Sequence, residues 1–350
     1  MILLMSQVET EFTTNEVIDW LMALDADFVR INGKDLQVED QRLSLSDEQV
    51  DYRLWVEGKE IDFAQINIIW FRRWSRFLNR IALPGEDELE ADFHRHRKAE
   101  FKTLSSSFFY LMENKKWLSK PLVLRKKDWT KFEYLRMAKK AQICIPDSLV
   151  ATNKKSVSPF IEKHGQVIIK PLSEGSSFVV DDVRYATYTA KVEIETLDLF
   201  PDHFFPTLFQ ELLEKEIELR IFYFDQTFYT MAIFSTLDNQ TAVDFRRYNH
   251  HRPNRMVPYR LPEEQEEKLL HFLELVDMDN GSIDMIKTKD GRYVFLEINP
   301  LGQFGMVSTP CCYNLEKKVA QYLIRQDQKS TSYESNQNRR SPVLSQSVAS

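Results

Sequence analysis

The first eighty residues alternate between strand-like and helix-like hydrophobic patterns, and this alternation limits the fold more than any other feature. Residues 2–6 (ILLMS) and 27–32 (DFVRIN) have the pattern of strands, and a helical segment at 13–24, capped by Thr13 or Thr14, separates them. Another strand is expected within 66–74 (INIIWFRRW). Because strands that alternate with helices favour a parallel sheet, we predict an α/β unit here, closed by a long amphipathic helix over about 86–113.

Composition excludes several classes of protein. The chain has 350 residues, 43% of them hydrophobic, which is enough to bury a sizeable core. No stretch approaches the ~20 apolar residues needed to span a bilayer, and the opening MILLMSQVET lacks a basic export signal, so we predict no membrane contact and a cytoplasmic location. The net charge of -7 gives no global reason to bind nucleic acid. The three cysteines are expected to be reduced thiols.

The remainder of the chain predicts a second α/β unit in which strands follow one another directly. Thr130 and Glu133 have the spacing of a capping box, so a helix is predicted to begin at Lys131 and to end before Pro146. Strands are then predicted within 166–180, 208–213, 217–224 and 227–234, followed by a helix at 263–276, a hairpin over 282–299 and a last helix at 314–325.

These patterns suggest three folded parts and a tail. We predict an N-terminal domain at 1–115, a central subdomain at 116–205 and a C-terminal subdomain at 206–326. Residues 327–350 are polar, rich in Ser and Gln and without periodicity, so a disordered tail is expected there.

The predicted hairpin carries the most specific chemical signal. Asp284 lies in its first strand, and Glu297 and Asn299 lie in the second, so a turn at Asp290-Gly291 brings three oxygen ligands to one end of the ladder. Carboxylates with an amide oxygen suit Mg²⁺, which takes its other ligands from water and phosphate. The alternative is a hairpin with ordinary exposed polar residues. The glycines that follow, Gly302 and Gly305, are predicted to let the backbone turn close to phosphate and substrate.

A second candidate site lies in KPLSEGSS, where Lys170 ends a strand before a flexible loop. The backbone amides and hydroxyls of such a loop can surround phosphates, although the segment does not fit the Walker pattern. The candidate residues of this loop are Ser173, Glu174, Gly175, Ser176 and Ser177.

A third candidate site follows in FQELLEKEIELR. The backbone after Gln210 and Glu211 is available to pair with an adenine edge, and Glu218 is placed to accept ribose hydroxyls. Arg220, and Arg246 in VDFRRY, are candidates to clamp phosphate oxygens with the forked geometry that lysine lacks.

Taken in order along the chain, these parts resemble the ATP-grasp fold over roughly residues 120–325. The resemblance implies an α/β (α+β) ATP-grasp architecture preceded by an N-terminal pre-ATP-grasp domain. It also implies that Lys131 and Lys170 contact ATP phosphates and that Glu218 binds the ribose. The adenine would lie against Gln210, Glu211, Leu212 and Leu213, and two magnesium ions would be held by Asp284, Glu297 and Asn299.

Further segments resemble the graspetide synthetases, most closely the grasp-with-spasm type of omega-ester peptide maturase. They are FTTNEVIDWL and FVRIN near the start, IWFRRW at 69–74, VDFRRYN at 243–249 and EINPLGQFGMVSTPCCYNLEKKVA at 297–320. The chain departs from that family at Thr130-Lys131, where members often have Asn-Lys.

This resemblance implies an ATP-dependent macrocyclase that joins Asp or Glu side chains of a ribosomal precursor peptide to Ser, Thr or Lys side chains. An acylphosphate would be the activated species, with Arg220 orienting phosphate and Arg246 stabilising the oxyanion. The precursor would carry a leader and a core rich in Thr or Ser and in Asp or Glu. The sequence leaves open a homodimer, a ligase that adds free amino acids to a protein or peptide terminus, and a nucleotide-binding module without ligase activity.

Overall fold

The computed structural model describes residues 1–7, 11–33, 41–47, 50–72, 91–125, 127, 129–173, 177–180, 183–186, 189–238, 245 and 249–338. The chain divides into two compact units. Unit one comprises Met1–Arg125 with Asn314–Ser350, and unit two comprises Lys126–Tyr313. The last helix therefore lies with the N-terminal unit, whereas the sequence placed residues up to 326 in a C-terminal subdomain.

Unit one is built on a parallel sheet, as the sequence predicted. Its described elements are β1 (Ile2–Ser6), α1 (Phe12–Ala23), β2 (Phe28–Asn32), β3 (Gln41–Leu45), β4 (Val50–Val56), β5 (Lys59–Glu60), β6 (Ile68–Phe71), α2 (Ala91–Leu111), β7 (Lys116–Leu118) and α8 (Leu315–Asn338). The strand order is β2-β1-β6-β7, and every neighbouring pair is parallel. Strand β1 is completely buried, which explains the apolar run at residues 2–5.

The start of α1 differs from the prediction. The helix begins at Phe12 after Glu11, and neither Thr13 nor Thr14 caps it. Thr14 is instead buried, with its hydroxyl 3.3 Å from Glu11 Oε1. Thr14 therefore lies within the first turn of the helix and not at its cap.

No sequence pattern predicted the antiparallel sheet of β3, β4 and β5. Residues Gln41–Leu45 pair with Val50–Val56, which pair in turn with Lys59–Glu60. Polar and charged residues interrupt the apolar ones in these short strands. The strands therefore lack a continuous hydrophobic run from which they could be predicted. Of the predicted segments at 66–74 and 86–113, the structure shows β6 and α2, and residues 73–90 lie outside the described part.

The final helix is longer than predicted. Helix α8 continues to Asn338, so the prediction that it ends near Arg325 was wrong, and residues 327–338 of the expected disordered tail lie in it. Segment 326–338 contains neither Gly nor Pro, and polar composition alone does not stop a helix. Gln326 is buried and accepts a hydrogen bond from Lys116 Nζ at 2.6 Å. Asp327 Oδ1 accepts one from Asn67 Nδ2 at 2.8 Å.

Truncation after Arg325 is expected to destabilise unit one, because it leaves Lys116 and Asn67 without these partners. Each lost hydrogen bond is worth about 1 kcal/mol of net stability. Urea unfolding should show a lower free energy of unfolding for this truncation, whereas cutting after Asn338 keeps both contacts and should leave it unchanged. Identical unfolding midpoints for the two truncations would contradict the assigned contacts.

Unit two contains two larger sheets. Its described elements are α3 (Lys131–Lys140), β8 (Ser148–Asn153), α4 (Lys154–His164), β9 (Val167–Lys170), β10 (Ser177–Val180), β11 (Val183–Ala186), β12 (Ala190–Val192), α5 (Ile194–Leu197), β13 (His203–Glu211), β14 (Lys215–Phe224), β15 (Thr227–Ile233), β16 (Met256–Tyr259), α6 (Glu263–Leu275), β17 (Gly281–Thr288), β18 (Tyr293–Asn299) and α7 (Gly305–Cys311). One sheet has the order β12-β9-β13-β8 and the other β16-β15-β14-β17-β18, while β10 pairs with β11.

The two hairpins of the larger sheet have the turns that the sequence indicated. Asp225 and Gln226 join β14 to β15 with positive φ angles of 47° and 60°, which fits the right-handed twist of a tight hairpin. Gly291 has a φ of 88° between β17 and β18, a value that favours glycine. The apolar face of this sheet packs on α3 and α6 in one core that contains Leu135, Leu269 and Ile283 among its buried residues.

Helix α3 begins at Lys131, as predicted, but its capping box differs. The Thr130 hydroxyl contacts the Glu133 carboxylate and makes no side-chain hydrogen bond to the helix backbone. The helix ends at Lys140, six residues before Pro146. Its start next to β18 brings Lys131 toward the end of that strand.

The three cysteines form no disulfide. Cys311 is buried, and burial, with a smaller contribution from Cys312, raises its pKa to about 11. Among the helices that the structure describes, none combines the length and apolar character needed to cross a membrane.

Candidate active site

A row of charged side chains crosses three adjacent strands of the larger sheet. Arg220 of β14 pairs with Asp284 of β17, and Asp284 pairs with Glu297 of β18. Directly paired residues of antiparallel strands share a face, so all three side chains lie on the face opposite the apolar core. The sequence predicted that Asp284 and Glu297 converge, and the register confirms it.

A register shift between β17 and β18 determines which residue of β18 stands opposite Asp284. Met285 pairs with Phe295, whereas Asp284 pairs with Glu297, so Leu296 is the extra residue of a bulge. In an unbroken ladder Leu296 would stand opposite Asp284. The bulge therefore places a carboxylate where regular pairing would place an apolar side chain. Asn299, two residues further along β18, lies on the same face as Glu297.

Two basic residues neutralise the row. Arg220 Nη1 donates to Asp284 Oδ2 at 2.5 Å, and Lys131 Nζ lies 3.7 Å from Glu297 Oε2. Arg220 is mostly buried, and among the described residues its Nε has no hydrogen-bond partner. A buried N–H group without a partner costs free energy, so this atom is suited to an anionic ligand.

Glu218 lies two residues before Arg220 on the same face and has its own buried partners. Lys215 Nζ and Ser235 Oγ each lie 2.5 Å from Glu218 Oε1. Burial raises the pKa of Glu218, and the charge and hydrogen bond of Lys215, together with the hydrogen bond of Ser235, oppose that rise. No sequence pattern indicated a role for Lys215 or Ser235.

The segment that follows Gln210 leads directly into β14. The backbone N–H of Glu211 donates to Asp147 O at 3.1 Å, and that of Leu212 donates to Gln166 O at 3.2 Å. Within the described part of the chain, no acceptor is found for the N–H of Leu213. The end of β13 is therefore fixed to its neighbours, while the next amide is available to a ligand.

Gln210 itself is almost fully buried. Its Nε2 donates to Ser148 Oγ at 3.0 Å, but its Oε1 has no donor among the residues that the structure describes. A buried acceptor of this kind is suited to an amino group of a ligand.

The glycine after the hairpin packs closely against a neighbouring strand. A Cβ at Gly302 would lie 2.5 Å from Ser282 Oγ and 2.7 Å from Ser282 N, closer than atoms can pack. Gly302 is therefore needed where this turn packs on β17. Asn299 Oδ1 accepts the N–H of Leu301 at 3.1 Å and supports the same turn.

The family of the chain follows from its comparison with known domains. Residues 115–323, more than half of the chain, match the RimK-like ATP-grasp domain. The chain belongs to the RimK-like ATP-grasp family. No curated protein sequence matches it.

Solved structures agree with this ATP-grasp assignment. A RiPP-associated ATP-grasp ligase of Chryseobacterium gregarium, in complex with ADP and a leader and core peptide, is 26% identical with a TM-score of 0.79, over 92% of this chain and 96% of that one. The macrocyclase MdnC of Microcystis aeruginosa MRC, bound with precursor peptide MdnA, is 23% identical with a TM-score of 0.75, over 93% of this chain and 100% of that one. The ATP-grasp ligase PsnB with a phosphomimetic minimal precursor, Mg and ADP is 18% identical with a TM-score of 0.71, over 93% and 98%.

The residues of this ATP-grasp chain fit a nucleotide and magnesium. Arg220 Nε offers a donor to phosphate, and Gln210 Oε1 offers an acceptor. Asp284, Glu297 and Asn299 supply hard oxygen donors on one face of the sheet. Within the described residues no three His, Cys, Asp or Glu side chains come together.

Several predicted residues of the ATP-grasp site remain predictions. Lys170 ends β9, as expected, and Ser173 lies in the loop that follows. Glu174, Gly175 and Ser176 lie outside the described residues, and only the backbone of Ser177 is described, at the start of β10. Arg246 also lies outside the described part of the chain.

Proposed function

We propose that this ATP-grasp chain is an ADP-forming peptide maturase that joins side chains of a ribosomal precursor peptide. The observation that carries the proposal is the row of Arg220, Asp284 and Glu297, with Lys131 at its end. This row combines the cations and carboxylates that a phosphoryl-transfer site needs on one face of a rigid sheet.

ATP is bound by residues of both sheets of unit two. The backbone of Glu211 to Leu213 and the amide of Gln210 contact the adenine, and Glu218 accepts the ribose hydroxyls. Lys131, Lys170 and the loop from Ser173 to Ser177 contact the phosphates. Asp284, Glu297 and Asn299 would hold magnesium, which neutralises charge on the phosphates when bound.

Catalysis starts with activation of a carboxylate, because a carboxylate is a poor electrophile. An Asp or Glu side chain of the peptide attacks the γ-phosphorus of ATP, so the bond to the β-phosphate oxygen breaks and ADP leaves. The product is an acylphosphate. Arg220 donates to the transferring oxygens, where preorganised charge contributes most.

Ring closure follows on the same peptide. A Ser or Thr hydroxyl attacks the acyl carbon, its proton is lost, and phosphate leaves, so that an ester forms; a Lys amine would give an amide. Arg246 stabilises the tetrahedral oxyanion. The similarity to proteins described with leader, core and precursor peptides supports a precursor as the partner.

Replacement of Arg246 by alanine is expected to slow peptide modification by roughly a hundred-fold, the usual effect of removing one preorganised donor. The measurement is the rate of product formation by mass spectrometry at saturating ATP. The control is His251→Ala, at an exposed residue five positions further along the chain, and its rate should stay near that of the wild type. Wild-type rates for Arg246→Ala would remove this residue from the mechanism.

Nucleotide turnover tests the proposal. With ATP, Mg²⁺ and a short peptide encoded beside the gene, ADP and phosphate should accumulate only when the peptide contains its acidic and hydroxyl side chains. Mild alkali should reopen the rings if they are esters, whereas amides would survive. Equal ADP release with and without the peptide would contradict a peptide maturase.

A further inference from the structure

The Lys215, Glu218 and Ser235 side chains form a buried cluster beside the proposed nucleotide site. Lys215 and Glu218 are each no more than 9% exposed, and Ser235 is fully buried. Charged residues are seldom buried without a partner, and here one carboxylate meets one ammonium group and one hydroxyl.

The backbone geometry that builds this cluster is irregular. Residues three apart on an unbroken strand face opposite sides of a sheet, so Lys215 would point away from Glu218. In β14, however, Lys215 pairs with Thr288 and Ile217 pairs with Lys287, so the strand carries one extra residue between them. This bulge turns Lys215 onto the face of Glu218 and leaves Glu216 exposed, paired with Lys287 at 2.8 Å.

Both donors converge on the same oxygen of Glu218. Lys215 Nζ and Ser235 Oγ contact Oε1, and the structure gives Oε2 no donor among the described residues. The side chain keeps 12% of its surface exposed. The carboxylate is thus fixed through one oxygen, while the other can accept hydrogen bonds from a ligand.

We propose that Lys215 and Ser235 are positioning residues that hold Glu218 so that its Oε2 accepts the ribose hydroxyls of the bound adenine nucleotide. The proposal rests on the proposed nucleotide site and goes beyond it, because it assigns to this cluster a preference for ribose over deoxyribose. A carboxylate held by two buried donors cannot turn to accommodate a sugar that lacks a hydroxyl, so the missing hydrogen bond is not replaced.

The test compares the affinities of ADP, 2′-deoxy-ADP and 3′-deoxy-ADP, measured by calorimetry with Mg²⁺ and without peptide. Wild-type enzyme should bind ADP about tenfold more tightly than at least one deoxy analogue, the value of one hydrogen bond to a charged group. Lys215→Met and Ser235→Ala should bind ADP more weakly, and the preference over that analogue should fall below about threefold.

The control is Glu216→Gln, which removes a neighbouring exposed carboxylate of the same strand and should keep the full preference. If Lys215→Met does not fold, Ser235→Ala, which only removes a hydroxyl, decides the outcome. Full ribose preference in a folded Ser235→Ala variant would overturn the positioning role, and so would a wild-type enzyme without ribose preference. Failure to cross-link peptide would refute the proposed function while leaving this result unaffected, since no peptide is present.

Discussion

Glu297→Gln and Asp284→Asn are expected to lower the rate of ADP formation by roughly a thousand-fold, the upper range for loss of one preorganised electrostatic contact. Both changes keep the size of the side chain but remove the negative charge that magnesium needs. Because Glu297 is 32% exposed and lies outside the apolar core, Glu297→Gln should leave the melting temperature nearly unchanged. Asp284→Asn should lower it modestly, since Arg220 loses its charged partner.

The matched control for these two variants is Asp290→Asn in the turn of the same hairpin. Asp290 is 60% exposed and pairs with Arg292 at 2.8 Å, so it shares the hairpin but not the site. Its activity should stay close to that of the wild type. Calorimetry adds an independent readout, because ADP binding should gain affinity from Mg²⁺ in the wild type and in Asp290→Asn but not in Glu297→Gln. An active Glu297→Gln enzyme would remove the metal assignment.

Arg220→Lys is expected to reduce kcat/KM for ATP by about a hundred-fold. Lysine keeps a positive charge beside Asp284 but loses the planar fork, including the buried Nε that offers a donor to phosphate. The loss should therefore occur although the net charge of the site is unchanged. Arg292→Lys, at the exposed pair with Asp290, is the control and should change kcat/KM by less than about twofold. Equal losses in the two variants would argue against a contact between Arg220 and phosphate.

Turn residues and the alternation of apolar residues along the chain predicted the hairpins and the parallel sheet. Gly291 supplied the positive φ between β17 and β18, and the alternation of apolar residues placed Asp284 and Glu297 in adjacent strands. The convergence of these two carboxylates could therefore be predicted from spacing and turn chemistry. The parallel sheet of unit one followed from its buried strands in the same way.

Features that depend on irregular backbone or on distant contacts could not be predicted. The bulge in β14 reverses the side on which Lys215 lies, and no residue type at that position indicates it. Ser235 reaches Glu218 from the segment after the adjacent strand, so its role depends on tertiary packing. Gly302 packs against Ser282 of a neighbouring strand, and nothing in the local sequence indicates that contact. Each of these features depends on a contact with a residue distant in the chain or on a shift in strand register, and local sequence patterns indicate neither.

The mass of the peptide after reaction tests the central claim most directly. The full-length enzyme, ATP, Mg²⁺ and the neighbouring precursor should yield a peptide that has lost one water for each ring, with one ADP formed per water lost. AMP as the nucleotide product would contradict an acylphosphate intermediate. A peptide that gains the mass of an added amino acid would contradict cross-linking and identify the chain as a ligase acting on free amino acids.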